Sequence, residues 1–231
     1  MVAENDPNIW LLQTAAAKLE PILDEIAFLG GCATGLLITD PAASPVRGTV
    51  DVDIITEIGT YAEFTVLEAR LTELGFRPRH EDNVICRWVS GELILDVMPT
   101  NPEILGFGNR WYAPALQNAV SVRVGSYELR VISAPYFLVT KIEAFLGRGH
   151  GDYLASRDIE DIIAVVDGRP ELVTEVRSSE ADLQKYLRHQ LKTIVEDANF
   201  VESIQCHLLP DESSQQRKGE ILRILQQFIS T

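Results

Sequence analysis

The chain has 231 residues, a hydrophobic content of 46% and a formal net charge of -14 at pH 7. This content can fill the core of one large domain or two modest ones, whereas the negative charge disfavours a non-specific nucleic-acid binder, which needs clustered Lys and Arg. The three cysteines are odd in number and form no Cys-x-x-Cys pair, so neither a disulfide framework nor a zinc knuckle is indicated.

The N-terminal segment, residues 1–12, carries acidic residues where a secretory signal has positive charge. No apolar run in the sequence approaches the ~18 residues that a membrane-spanning helix needs. We therefore expect a cytoplasmic protein with no membrane partner.

The first elements alternate between helix and strand. Residues 8–25 predict an opening helix that Pro21 bends or divides. Residues 26–31 predict a short strand that ends in glycines, and residues 40–48, which contain two prolines, predict a loop. Apolar and polar residues then alternate over residues 49–56, which is typical of a strand.

Two hairpins follow, and after them the pattern changes. A helical pattern over residues 62–76 precedes paired strands around short turns at residues 90–92 and 125–126. Almost all later residues have helical spacing. This order predicts an α+β fold, with a mixed sheet and flanking helices over residues 1–133 and a mostly helical C-terminal region over residues 134–231.

Two aspartates lie one residue apart in the strand at residues 49–56. Side chains two residues apart in a strand share a face, so Asp51 and Asp53 are expected to project together, while Val50, Val52 and Ile54 pack on the other face. Two neighbouring carboxylates repel each other unless protons or cations intervene, and Mg²⁺ takes oxygen ligands of this kind. The pair therefore favours a metal site.

A third aspartate, Asp96, interrupts the apolar run over residues 93–99, where an isolated charge is costly to bury. If its strand lies in the same sheet as Asp51 and Asp53, three carboxylates can hold two Mg²⁺ ions about 3.5 to 4 Å apart. The alternative is a solvated aspartate at the end of a strand.

The glycine pair Gly30-Gly31 follows a predicted strand and precedes a helical turn. Glycine lets the backbone approach a ligand closely, and the amides at a helix N-terminus attract phosphate. Such a pair is also common in turns, so its place ahead of the acidic pair is what points to phosphate.

The order of these residues resembles the signature of the polymerase-β-type nucleotidyltransferase superfamily: Gly30-Gly31, then Arg47-x-Thr49-x-Asp51-x-Asp53, then Asp96. With a later helix that contains Lys141 and the segment 156–162, the pattern is most similar to the AbiEii/AbiGii-type toxins. The resemblance covers about residues 27–167.

The resemblance implies a polymerase-β-like sheet and a site that binds two Mg²⁺ ions, or Mn²⁺ in their place, with an NTP such as ATP as substrate. Asp51 and Asp53 would bind both metals, and Asp96 would serve the metal that activates the acceptor hydroxyl. The implied nucleotide-binding residues are Gly30, Gly31, Thr34, Arg47, Thr49, Lys141 and Arg148. Asp158 is expected to support the site as a helix-capping charge or as an ion-pair partner of Lys141 or Arg148.

The activity implied is transfer of an NMP from an NTP to a hydroxyl acceptor. The toxin branch suggests an RNA acceptor, such as a tRNA 3′ end, and a cognate antitoxin as partner. Two alternatives stay open: transfer to a small molecule such as an antibiotic, and a non-catalytic nucleotide-binding module. Apolar stripes on the C-terminal helices indicate helix packing or a homo-oligomer surface.

Overall fold

The computed structural model describes residues 6–79, 84–149 and 151–230. The first five residues of the acidic N-terminal segment lie outside this described part.

The strands are β1 (Ile26–Leu29), β2 (Asp51–Thr56), β3 (Arg77–Pro78), β4 (Arg87–Ser90), β5 (Leu93–Pro99), β6 (Val120–Val124) and β7 (Tyr127–Val131). The helices are α1 (Ile9–Leu19), α2 (Thr34–Leu37), α3 (Tyr61–Glu73), α4 (Tyr112–Gln117), α5 (Ala134–Arg148), α6 (Arg157–Gly168), α7 (Leu172–Ser178), α8 (Ala181–Glu196), α9 (Ala198–Ser203), α10 (Glu212–Gln216) and α11 (Lys218–Ile229). Short 3₁₀ turns lie at Glu20–Glu25, Gly31–Ala33 and Ile204–His207.

All strands join one mixed sheet in the order β3-β4-β5-β2-β1-β7-β6. The pairs β2–β5 and β1–β7 are parallel, and the other neighbours are antiparallel. The predicted α+β fold, a mixed sheet with flanking helices followed by a helical half, is confirmed. The opening helix ends at Leu19, and the chain continues as a 3₁₀ turn with Pro21 near its start, because proline cannot continue a helical hydrogen-bond ladder.

Strand β2, in the middle of the sheet, has one buried apolar face and one polar face. In β2, Val52 and Ile54 are fully buried, whereas the alternate residues Asp51 and Asp53 are only partly buried. The expectation that Val50 packs on the same face as Val52 is wrong, because Val50 precedes the strand and is 68% exposed. Helix α1 contacts β2, β5 and β7, and one side of it is lined by buried apolar residues. The acidic face of β2 is therefore the face that this sequence leaves for polar chemistry.

The chain divides into two compact units. The sheet unit comprises the described residues of 4–33 and 47–133, and the helical unit comprises residues 34–46 together with the described residues from 134 on. The division into a sheet domain of residues 1–133 and a helical region of residues 134–231 stays a prediction.

In the part of the chain that the structure describes, no helix is both long enough and apolar enough to span a membrane.

Candidate active site

The three predicted acidic residues lie on one face of neighbouring strands. In the parallel pair β2–β5, Asp53 is directly opposite Asp96, and Asp51 precedes Asp53 by two residues. Residues paired across a ladder project to the same side of the sheet, so the three side chains share a face. Asp96 is 7% exposed, so it is not a solvated aspartate at the end of a strand. It is a buried carboxylate, and it needs a partner.

Arg87 is that partner. It lies opposite Asp96 in the antiparallel pair β4–β5 and donates from Nε and Nη2 to the two carboxylate oxygens of Asp96, at 2.8 and 2.7 Å. Its Nη2 also donates to Oδ2 of Asp51 at 3.2 Å. A bidentate guanidinium bond of this kind offsets the cost of burying Asp96.

Sequence reasoning did not find Arg87, although a signal was present. Gly91 and Glu92 form a two-residue turn between β4 and β5, and such a turn fixes the register of a hairpin. Counting outward from the pair Ser90–Leu93 places Arg87 opposite Asp96.

The start of β2 is held by a buried asparagine. Asn8 is 1% exposed; its amide nitrogen donates to the Arg47 carbonyl at 3.1 Å, and its amide oxygen accepts from the Thr49 backbone N–H at 2.9 Å. The Thr49 hydroxyl in turn donates to Oδ1 of Asp51 at 2.7 Å. Thr49, predicted to contact nucleotide, thus orients Asp51 in this structure. Asn8 in turn holds both ends of residues 47–49, which lead into β2.

The glycine pair lies directly against this face. Gly30 has a φ of +73°, and a Cβ built on it would lie 1.8 Å from Oδ2 of Asp53. A Cβ on Gly31 would lie 2.7 Å from Nη2 of Arg47. The structure therefore brings together Gly30, Gly31, Arg47 and Asp53, as a phosphate-binding role would require.

An ion cluster that is buried except for Arg148 lies in the helical unit. Lys141 on α5 donates to Asp161 at 2.6 Å and to Asp158 at 3.2 Å, both on α6. Arg148 donates to both oxygens of Asp158, at 3.1 and 3.0 Å. Asp158 is therefore the ion-pair partner of both cations, while Ser156 caps α6. Asp161, which received no predicted role, completes the cluster.

The charges of this cluster shift the acidity of Asp158. Burial alone would raise the pKa of its carboxyl group, but the Lys141 charge and the Arg148 hydrogen bonds outweigh burial, so the pKa lies below its ordinary value. Thr34, also predicted to contact nucleotide, is the buried first residue of α2 in the same unit. The roles predicted for Lys141, Arg148 and Thr34 in nucleotide binding stay predictions.

The donor set on the sheet suits Mg²⁺ in chemistry but not in its present arrangement. Carboxylate oxygens are the ligands that this ion prefers. Within residues 6–79, 84–149 and 151–230, however, no three His, Cys, Asp or Glu side chains are gathered as a metal site. Arg87 engages both oxygens of Asp96 and one of Asp51, and Thr49 engages the other. A metal at Asp96 or Asp51 would compete with these bonds.

Cys86 is a buried cysteine whose pKa is affected by the carboxylates. Burial, together with the negative charges of Asp96 and Asp53, raises the pKa of its thiol to about 12. The thiol is therefore protonated at neutral pH.

A concave region lies at the end of β2 opposite Asp51. A cavity of about 980 Å³ is lined by Thr56 at the end of β2, Thr100 just beyond β5, and the ion pair Arg70–Glu25, among others. None of the predicted site residues is among its described lining residues.

Comparisons with known proteins agree with the fold. No family model and no curated protein matches the sequence. Among solved structures, the chain is similar to an antigenic nucleotidyltransferase-like protein from Paracoccidioides brasiliensis, with 21% identity and a TM-score of 0.54, over 87% of this chain and 92% of that one. It is also similar to the antibiotic-resistance factor ANT(2'')-Ia, with 18% identity and a TM-score of 0.46, over 78% of this chain and 97% of that one. The first likeness shows a nucleotidyltransferase-like fold.

Proposed function

We propose that this chain is a nucleotidyltransferase that moves an NMP from an NTP to a hydroxyl acceptor, with Mg²⁺, or Mn²⁺ in its place, as cofactor. One observation carries the proposal: Asp51, Asp53 and Asp96 share one face of two parallel strands, and the Gly30 backbone lies against Asp53. A pure binding module has no need for three acids on one face. The nucleotidyltransferase-like fold supports the same reading.

Each residue has a proposed task. Asp51, Asp53 and Asp96 would hold the metal, which when bound neutralises charge on the phosphates. The Gly30-Gly31 backbone and the Arg47 guanidinium beside it would bind the triphosphate. The acceptor hydroxyl would give its proton to Asp96, its oxygen would bond to the α-phosphorus, and the bond from that phosphorus to the β-phosphate oxygen would break. Pyrophosphate is then the leaving group.

The acceptor we propose is an RNA such as a tRNA 3′ end, which rests on the resemblance to the toxin branch and brings with it a cognate antitoxin as partner. The second candidate is a small hydroxylated molecule such as an antibiotic. The net charge of -14 favours this candidate, because an RNA acceptor is repelled by an acidic surface. Self-association and a cytoplasmic location complete the proposal.

The test is transfer of label from each α-labelled NTP, with Mg²⁺, into total cellular RNA and into a panel of aminated and hydroxylated antibiotics. Asp53→Ala should lower the rate by about a hundredfold or more, since an interaction with charge that develops in the transition state is lost. Glu92→Ala is the matched control, because it removes an exposed carboxylate from the turn of the neighbouring hairpin.

The outcomes separate the candidates. Label in an RNA that disappears with Asp53→Ala but persists with Glu92→Ala would establish an RNA nucleotidyltransferase. Label in an antibiotic would select the small-molecule acceptor. Binding of NTP without transfer to any acceptor would overturn the proposal in favour of a binding module.

A further inference from the structure

Arg87 places a fixed positive charge among the proposed metal ligands. Its guanidinium lies 2.7 to 3.2 Å from oxygens of Asp96 and Asp51, and its side chain is 17% exposed. Because the group cannot lose its proton near neutral pH, its charge is present in every state of the protein. A cation bound by Asp96 or Asp51 would therefore lie within a few ångströms of this positive charge.

The contacts compete with a metal in two ways. The N–H groups of Arg87 bond to both carboxylate oxygens of Asp96 and to one of Asp51, so they take lone pairs that a metal could otherwise use. Unlike a neutral donor, the guanidinium also repels a divalent cation a few ångströms away. Free metal should therefore bind this face weakly.

The backbone of Arg87 is fixed by the sheet. Arg87 is paired with Asp96, the Cys86 carbonyl accepts from the Val97 N–H at 2.9 Å, and the turn at Gly91 sets the register. Asp96 lies within β5 between two neighbouring strands. The long, flexible Arg87 side chain is thus the part that can yield.

From this arrangement we infer that Arg87 is the resident counter-ion of the site. Without nucleotide it pairs with Asp96 and Asp51 and keeps the affinity for free divalent metal low. When a nucleoside triphosphate arrives with its metal, the guanidinium exchanges carboxylate for phosphate oxygens, which it also binds in bidentate fashion. Metal binding and nucleotide binding are thereby coupled. This inference deepens the proposed function and rests on it.

The test measures Mn²⁺ binding to the nucleotide-free protein from the electron paramagnetic resonance signal of free Mn²⁺. Arg87→Gln should bind Mn²⁺ about tenfold or more tightly than the wild type, because a charge beside the ligands is removed. Arg87→Lys should lie between the two, since it keeps the charge without the planar fork. An NTP analogue that cannot be cleaved between the α- and β-phosphates should raise the Mn²⁺ affinity of the wild type more than that of Arg87→Gln.

Arg70→Gln is the matched control. It removes one arginine from the same unit and breaks a bidentate pair with Glu25, while Arg70 lines the cavity at the other end of β2. Its Mn²⁺ affinity should equal that of the wild type.

A folded Arg87→Gln with wild-type Mn²⁺ affinity would overturn the inference. If that variant does not fold because Asp96 is left buried without a partner, Arg87→Lys provides the test. A Mn²⁺ affinity of Arg87→Lys equal to that of the wild type would then contradict the inference. The proposed function can fail on its own. If Arg87→Gln binds Mn²⁺ more tightly but the wild type transfers no nucleotide, the transferase activity is refuted and the counter-ion role of Arg87 is retained.

Discussion

At the scale of single residues, the backbone at Gly30 approaches Asp53 more closely than any side chain would permit. Gly30→Ala would place a Cβ 1.8 Å from the Asp53 carboxylate at a φ of +73°, a left-handed conformation that costs about 1–2 kcal/mol for other residues. We expect this variant to lose transferase activity and to melt at a lower temperature. Transfer assays and thermal unfolding measure the two effects.

Gly31→Ala provides the comparison. Its new Cβ would meet the guanidinium of Arg47, with Nη2 at 2.7 Å. This group is the far end of a long side chain, which can move aside. The melting temperature of Gly31→Ala should stay close to that of the wild type. Equal activity in the wild type and Gly30→Ala would refute the close-approach role of Gly30.

The acidic face could be predicted from sequence because its signals are local. Asp51 and Asp53 are two residues apart within a strand, and the buried charge at Asp96 stands out in an apolar run. Arg87 was also within reach, through the short turn that fixes its register. Asn8 was not, because it contacts Thr49 across 41 residues, and an asparagine at the start of a helix is usually explained as a cap.

At the scale of elements, α5 and α6 are joined by an ion cluster in which Lys141, Asp158 and Asp161 are buried and Arg148 is exposed. The pKa of Asp158 is lower in the folded protein than its ordinary value of 3.8, so the folded state binds fewer protons than the unfolded state. Its contribution is complete above the ordinary pKa and is lost as the pH falls below it.

We therefore expect Asp158→Asn to lower the free energy of unfolding at pH 7 by about 1–3 kcal/mol, since two cations lose a charged acceptor. The difference from the wild type should shrink below pH 3.8. Urea titrations at pH 7 and pH 3 measure it, with the exposed Asp182→Asn on α8 as control. A difference that is the same at both pH values would contradict the assignment.

The helical spacing of α5 and α6 predicted the faces on which these residues lie, but not which cation meets which acid. Lys141 contacts acids 17 and 20 residues away on another helix. Such pairing depends on how two helices pack, which residue spacing within each helix does not determine.

At the scale of the whole molecule, the sheet unit is interrupted by a segment that belongs to the helical unit. Residues 34–46 bond to the other end of that unit: the backbone N–H groups of Thr39 and Asp40 donate to the Gly168 carbonyl at 2.9 and 3.0 Å. Arg169 donates to the Leu37 carbonyl at 2.6 Å, and Arg217 contacts Asp40. Residues 40–46 form the loop that their prolines predict, but the sequence pattern does not predict where this loop docks, because its partners are remote in sequence.

A fragment of residues 1–133 would keep the segment but remove these partners. We expect it to expose Leu36 and Leu37, both buried in the full chain, and so to bind a hydrophobic dye more strongly than a second fragment in which a Gly/Ser linker of equal length replaces residues 34–46. Dye fluorescence and thermal unfolding compare the two fragments. Equal dye binding by both would show that the segment needs none of its partners.

During synthesis, residues 34–46 leave the ribosome well before the residues that they bond to. Arg169, the partner of the Leu37 carbonyl, and Glu171, which accepts from the Thr39 hydroxyl, each lie 132 residues further along. The Arg217 partner of Asp40 lies 177 residues further. At roughly 5–20 residues per second on the ribosome, the segment emerges on the order of ten seconds or more before Arg217 exists. For that interval a growing chain carries an apolar stretch with no place to dock, so this stretch is where we expect a chaperone to bind the nascent protein.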